Sequence, residues 1–206
     1  MSPVHRVSPF WIVLGLIAAG YLGFWFAMLA ATATYTSPGE VMEVLLSREI
    51  RYATLLSLVT CTVSALLSAA VAVPVGYLMS RRRFPGHALV DAALDIPIVL
   101  PPMVVGICLL IFFQTRAGGL IEQVIPLTYT VSGVIVAQFV IAAAFAIRTM
   151  RNVFDHLSPR PEQVALTLGA TPAQAFRHVT LPAARGGIFA AASVAWARSL
   201  GEFGPI

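Results

Sequence analysis

The stretch FWIVLGLIAAGYLGFWFAMLAATA, Phe10 to Ala33, decides the fold class. It carries no charge over a length that lets a helix cross about 30 Å of hydrocarbon. Working outward, a second uncharged run covers Tyr52 to Met79, and a third covers Ala92 to Phe113 with Asp95 near its start. A fourth runs from Val131 to Ile147 and a fifth from Gly187 to Leu200. The expectation is an all-α, polytopic transmembrane helical bundle with five spans. The first run is too long for a signal peptide and lacks a small-residue cleavage site before a polar chain, so it reads as a retained helix.

Composition agrees. Of 206 residues, 58% are hydrophobic and only 11% charged, against roughly a quarter charged in an ordinary soluble domain. All thirteen basic residues are Arg. Without a lysine there is no P-loop, so any nucleotide energy must come from another chain. With the N-terminus inside, Arg6, Arg81, Arg82, Arg83, Arg148, Arg151, Arg160, Arg177 and Arg185 face the cytoplasm, against Arg48, Arg51 and Arg116 outside. Cytoplasmic loops hold the excess of positive charge, which favours this orientation.

The outer segments are short. Thr34 to Arg51 starts with a Ser37, Pro38, Gly39 turn and continues as an amphipathic stretch bearing Glu40, Glu43 and Glu49. Gln114 to Thr130 carries Gly118, Gly119 and Pro126 as turn signals. Five spans leave Ile206 on the outer side, which leads to the expectation of a sixth helix beyond it.

Within lipid, helices associate through close approach at small side chains. Gly15, Ala19, Gly23 and Ala27 form one such stripe, and Gly187, Ala191, Ala195 and Ser199 another; both read as bundle packing before a dedicated homodimer seam. Pro97, Pro101 and Pro102 interrupt the third span. A broken helix at membrane depth is tolerated inside protein or along a polar path, so these prolines mark either the translocation route or a structural kink. Arg198 and Glu202 are spaced to meet on one helical face. They read as a gate-stabilising ion pair ahead of a direct anion contact. Cys61 and Cys108 sit in apolar spans as small hydrophobes. His5, His87, His156 and His178 lack metal-ligand spacing, and no nucleophile, base and orienter stand together, so neither a metal site nor an enzyme is expected.

The longest hydrophilic interval, Thr149 to Arg185, has an internal grammar. Pro161 suits a first helical turn, Gln163, Val164, Ala165 and Leu168 continue it, and Gly169 suits a left-handed cap. Thr171, Pro172 and Gln174 spell a capping box for a second short helix with Phe176 and Val179 on one side, closed by Leu181 and Pro182. Such a loop is stiff enough to transmit a push. An interfacial helix lying on lipid is the plainer alternative.

The run Gln163, Val164, Ala165, three residues, Gly169, nine residues, Val179, Thr180, Leu181, Pro182 resembles the EAA loop of ABC-importer permeases. The spacing agrees throughout, with Gln163 where the family has Glu, Glu162 beside it, and Val164 for the first Ala. Ile96 to Gly106, with Pro97, Pro101 and Pro102, is similar to the proline-rich segment of molybdate-type permeases, and Ala197 to Gly204 to their ARxLGEFG signature.

The resemblance implies a type I importer permease for molybdate, tungstate or sulfate in a bacterial inner membrane, with molybdate favoured. It divides the chain into an N-terminal helix and external segment, 1–51, and a transmembrane type-1 permease domain, 52–206, with the coupling loop at 149–185. It implies partnership with ATP-binding cassette ATPase subunits that bind the ATP and Mg, a second permease copy, an external substrate-binding protein and membrane lipid. No cofactor is implied in this chain, and no nucleic acid. Glu162, Gln163, Ala165, Leu168, Gly169, Phe176, Leu181 and Pro182 become the ATPase-coupling candidates. Pro97, Pro101, Pro102, Arg198 and Glu202 become candidates for the pathway or gate. The competing classes are a permease for another small polar solute, a self-sufficient secondary transporter or channel, and a non-transporting membrane scaffold.

Overall fold

The computed structural model describes residues 9–35 and 37–201, apart from the side chains of Pro38 and Glu40. His5, Arg6 and the 202–206 segment with Glu202 lie outside the described residues. Every regular element among the described residues is helical. The chain divides into two units, 1–54 and 55–206.

The first unit holds α1 (Pro9–Thr34), α2 (Pro38–Leu46) and the start of α3 (Arg48–Arg81). Ser37 precedes α2, and the amphipathic stretch expected there is this helix. Among the described residues of that unit nothing lies within 4 Å of a Cβ built at Gly15 or Gly23, and Ala19 and Ala27 are exposed. The 34 residues of α3 make a rod of about 51 Å, well beyond the hydrocarbon thickness.

In the second unit, α3 continues into α4 (His87–Val99), α5 (Pro102–Gln114), α6 (Arg116–Val124) and α7 (Val131–His156). The loop follows as α8 (Arg160–Thr167), α9 (Pro172–Ala175), a π-helical turn Phe176–Thr180, α10 (Leu181–Ala183) and α11 (Arg185–Leu200). Three described helices are long and apolar enough to span a membrane on their own: α1, α3 and α7. The expected third span is instead two helices, α4 and α5, meeting at 115°. The break is legible in the dihedrals. A residue before proline is pushed out of the helical region, and Leu100 (φ −69, ψ 138) and Pro101 (φ −57, ψ 140), each followed by a proline, are both extended. Pro97, by contrast, stays inside α4. The expected fifth span corresponds to α11, whose 16 residues are too few to count as a span, so the described residues give three spans, or four with the bent pair, against the five expected.

The core is built from small side chains of α3, α7 and α11. Ala65, Ala72, Ala142, Ala146, Ala191 and Ala195 are buried together beside Ile147, Met150 and Phe154. Ala191, Ala195 and Ser199 are buried as the spacing on α11 predicts, and a Cβ at Gly187 would overlap the Val153 methyls. At Gly76 a Cβ would stand 2.8 Å from Met150 Cβ and 2.9 Å from the Arg151 nitrogen, so α3 and α7 meet almost backbone to backbone. Such contact is how apolar helices bind one another where water gives no driving force. Polar contacts add to this: the single Ser64 hydroxyl proton is shared between the Ile135 carbonyl at 3.0 Å and Gln138 Oε1 at 3.2 Å, and Gln138 Nε2 reaches Cys61 Sγ at 3.7 Å.

Gly118 and Gly119 are not turn residues. They lie inside α6, and at Gly118 a Cβ would overlap the Phe112 carbonyl oxygen. Glycine is there for a close approach of α6 to the end of α5, a signal indistinguishable in sequence from a turn.

Candidate coupling site

The loop between α7 and α11 is held in shape by local hydrogen bonds. Pro161 occupies the first turn of α8, where a missing amide hydrogen costs nothing. At the other end Gly169 has φ +91, the left-handed region in which a Cβ is penalised. Its amide donates to Leu166 O at 3.1 Å, and the Ala170 amide donates to Ala165 O at 3.0 Å. These two bonds are the Schellman pair, which satisfies carbonyls that the helix end would leave open. Two residues on, the capping box forms. Gln174 N donates to Thr171 Oγ1 at 3.3 Å, and Thr171 N donates to Gln174 Oε1 at 2.9 Å.

The turn after α9 widens to a π-helix at Phe176–Thr180. In an α-helix the ring of Pro182 would collide with the carbonyl four residues back, at His178. Widening the preceding turn relieves that clash, which gives the Leu181-Pro182 pair a physical role.

The candidate coupling residues divide by direction. Gln163, Leu168, Gly169 and Pro182 are exposed, and Leu168 at 83% and Val164 at 55% are bare apolar side chains. Ala165, three residues from Glu162 and so on its helical face, is half-buried, as are Phe176 and Leu181. Glu162 turns inward, its side chain only 15% exposed. Its Oε1 accepts the Tyr77 hydroxyl, its Oε2 accepts Thr180 Oγ1 at 2.9 Å, and Arg81 Nε stands 3.9 Å away. Arg81 Nη2 also donates to the Leu157 carbonyl at 2.9 Å, at the end of α7. The Tyr77 ring lies between Phe154 at 5.5 Å and Phe176 at 4.5 Å.

Sequence reasoning missed Tyr77, Arg81, Phe154 and Thr180 as a group because they come from three separated segments. The available signal was Glu162 itself, an acid in an otherwise apolar face. A second charged group was also missed. Asp91 and Asp95 of α4, four residues apart, meet Arg148 and Arg151 of α7. Arg148 Nε donates to Asp95 Oδ1 at 2.9 Å and its Nη1 lies 3.4 Å from Asp91, while Arg151 pairs with Asp91 and stands 3.8 Å from Asp155.

For the pathway candidates, Pro101 and Pro102 form the break between α4 and α5, and Pro97 lies one turn before it. The Arg198 guanidinium lies 5.4 Å from the Phe145 ring centroid. Its expected partner Glu202 is outside the described residues. A cavity of about 460 Å³ opens between α5 and α7, lined by Ile107, Leu110, Leu127, Thr130, Val134 and their neighbours. Among the described residues no charged side chain lines it.

Residues 72–205 match the profile of a family described as binding-protein-dependent transport system inner membrane component. The chain is 34% identical over 203 residues to a probable molybdenum ABC transporter permease protein of Haloferax volcanii, covering 98% of this chain and 75% of that one. It is 39% identical over 150 residues to the molybdate/tungstate transport system permease protein of Pyrococcus abyssi, covering 73% and 56%. With the sulfate transport system permease protein of Salmonella typhimurium the identity is 34% over 170 residues, covering 81% and 61%. The chain thus spans three quarters of the first relative's length and less than two thirds of the other two.

Proposed function

This chain belongs to the binding-protein-dependent transport system inner membrane component family, and from that premise we propose that it is the permease subunit of an ATP-driven importer for a small oxyanion. The relatives named above are permeases for molybdenum, molybdate or tungstate, and sulfate. Molybdate is the preferred cargo, with tungstate and sulfate next. The chain performs no ATP chemistry of its own. A second permease copy completes the pathway, ATPase subunits dock at the cytoplasmic loop, and a binding protein delivers the anion from outside. The N-terminus then lies on the cytoplasmic side with the loop.

The observation that carries this reading is the loop itself: a short rigid helix with Val164 and Leu168 bare at its tip, ended by a turn at Gly169. An effector shifts an equilibrium between inward- and outward-facing states only through a differential interaction with them. A docked α8 supplies that interaction, because closure of the ATPase pair displaces the two loops relative to each other. Leu168, Gly169, Gln163 and Pro182 face the ATPase. Glu162, Ala165, Phe176 and Leu181 face the permease body.

The reading is tested by ATP hydrolysis of the reconstituted complex with its binding protein, comparing molybdate, tungstate and sulfate. Stimulation by at least one, strongest with molybdate, is the expected result. A flat response to all three overturns the oxyanion assignment.

A further inference from the structure

We infer that Tyr77, Glu162, Arg81 and Thr180 form a knot that fastens the coupling loop to α3 and α7, with Glu162 and Tyr77 as the positioning residues through which loop displacement reaches the transmembrane helices. This inference rests on the coupling reading above and adds the route by which the motion travels.

Glu162 is an acid in a docking helix, the residue type from which an ion pair with a partner would be expected. Its geometry directs it elsewhere. Both carboxylate oxygens are engaged inside the chain, one by the Tyr77 hydroxyl and one by Thr180, with the Arg81 guanidinium beside them. Helix α8 buries none of its residues, so apolar packing contributes little to its attachment. The polar knot is what holds it. Tyr77 in turn cannot swing away, because its ring is packed between Phe154 of α7 and Phe176 of the loop. Arg81 closes the arrangement by reaching the Leu157 carbonyl, where α7 ends. A push on α8 is therefore passed to the end of α3 through Tyr77 and Arg81, and to the end of α7 through Phe154 and Leu157.

Cutting the knot should leave α8 folded, because its Schellman turn and first-turn proline are independent of Glu162. The exposed Leu168 face would remain for docking. What is lost is stiffness between the docked helix and the bundle. Losing one hydrogen bond to a charged acceptor lowers the ratio of fastened to loose loop by roughly tenfold or more.

The experiment uses the reconstituted complex with its ATPase subunits and binding protein, carrying Tyr77→Phe, Glu162→Ala or Glu162→Gln. Tyr77→Phe removes a single oxygen and keeps the ring stack. The expected result is that Tyr77→Phe and Glu162→Ala retain the ATPase subunits but hydrolyse several times more ATP per anion imported. Amide exchange over 160–167 should quicken by up to about tenfold, because a helix of this length, though still formed on average, frays more often once it is unfastened. Glu162→Gln, whose carbonyl oxygen can accept from one of the two hydroxyls while its amide donates to the oxygen of the other, should return part of the coupling. Should Glu162→Ala fail to assemble, Thr180→Val, which removes only the second donor, must raise the ATP cost in the same direction. An unchanged ratio of ATP to anion in assembled Tyr77→Phe and Glu162→Ala complexes overturns the inference while leaving the coupling reading in place. Wild-type chain that retains no ATPase subunit overturns both.

Discussion

Replacing Gly169 separates backbone geometry from side-chain bulk. Its φ of +91 lies where L-residues are penalised, yet a Cβ built there meets nothing within 4 Å. The cost of Gly169→Ala is therefore conformational, about 1–2 kcal/mol, or roughly a 5- to 30-fold loss in population of the formed turn. Asn tolerates this region better than Ala, so the larger Gly169→Asn should cost less. Gly169→Val, β-branched, should reach about 3 kcal/mol. The order Gly, Asn, Ala, Val is then read as amide exchange at Gly169 and Ala170, whose hydrogen bonds to Leu166 and Ala165 depend on this turn. The same order is expected in the thermal stability of the loop. An order following side-chain volume, with Asn worse than Ala, would refute the reasoning, since it would show that something within the chain fills the space beside Gly169. Bulk should tell only in the assembled complex: Gly169→Trp is expected to weaken retention of the ATPase more than Gly169→Val does.

Other positions give sharper contrasts. Gly76→Ala should lower the thermal midpoint of the detergent-solubilised protein by an overpacking cost of about 1–3 kcal/mol, because its Cβ would press on the α7 backbone. Gly119→Ala, with its nearest neighbour at 4.0 Å, should instead be neutral or stabilising by up to about 1 kcal/mol, and equal losses at both sites would contradict the packing described. For Asp91 and Arg151, 30% and 24% exposed, a double-mutant cycle of Asp91→Asn with Arg151→Gln should give a coupling of about 0.5–1 kcal/mol that shrinks with salt; a zero coupling at low salt would remove the pair from the account of how α4 is held. Glu122 accepts the Thr128 amide at 2.9 Å, and this bond holds its carboxyl below the ordinary glutamate range. A depressed carboxyl contributes stability above its unfolded pKa and loses it as pH falls through the folded value. Protection of the Thr128 amide, its exchange measured against the unstructured rate at the same pH, should therefore fall as pH drops below the ordinary glutamate range in wild type and show no such step in Glu122→Gln.

What was legible in sequence followed from short-range rules. The charge-free runs located α1, α3 and α7, consecutive prolines located the α4–α5 break, and the Thr171, Pro172, Gln174 spacing located the capping box. Gly169 was readable because a glycine after a short helix has one common use. The knot at Glu162 was not, because Tyr77 and Glu162 are 85 residues apart, and an acid on the apolar face of α8 signals a partner without saying which residue it is. The Asp91, Asp95, Arg148, Arg151 cluster escaped for a related reason: each charge lies near the end of an apolar run, where it reads as a loop boundary. Gly118 misled because a glycine needed for close helix approach carries the same letter as one needed for a turn.

Local geometry also redistributed the candidate residues. The periodicity of an eight-residue helix cannot say which side faces the protein body until the anchor is known. Once Glu162 is fixed inward, Ala165 follows it, and Val164 and Leu168 point away. The exposed apolar surface of α8 is therefore carried by Val164, Leu166 and above all Leu168, with Ala165 half-buried.

The central claim is that ATP energy enters this chain at the exposed face of α8. A photo-crosslinking residue at position 168 in the assembled transporter tests it most directly, with position 189, also exposed but within α11, as the control. The account predicts a crosslink from 168 to the ATPase subunit that changes in yield when ATP binds, and none from 189. Crosslinks from 168 to lipid alone, with ATP-driven anion uptake intact, would contradict it.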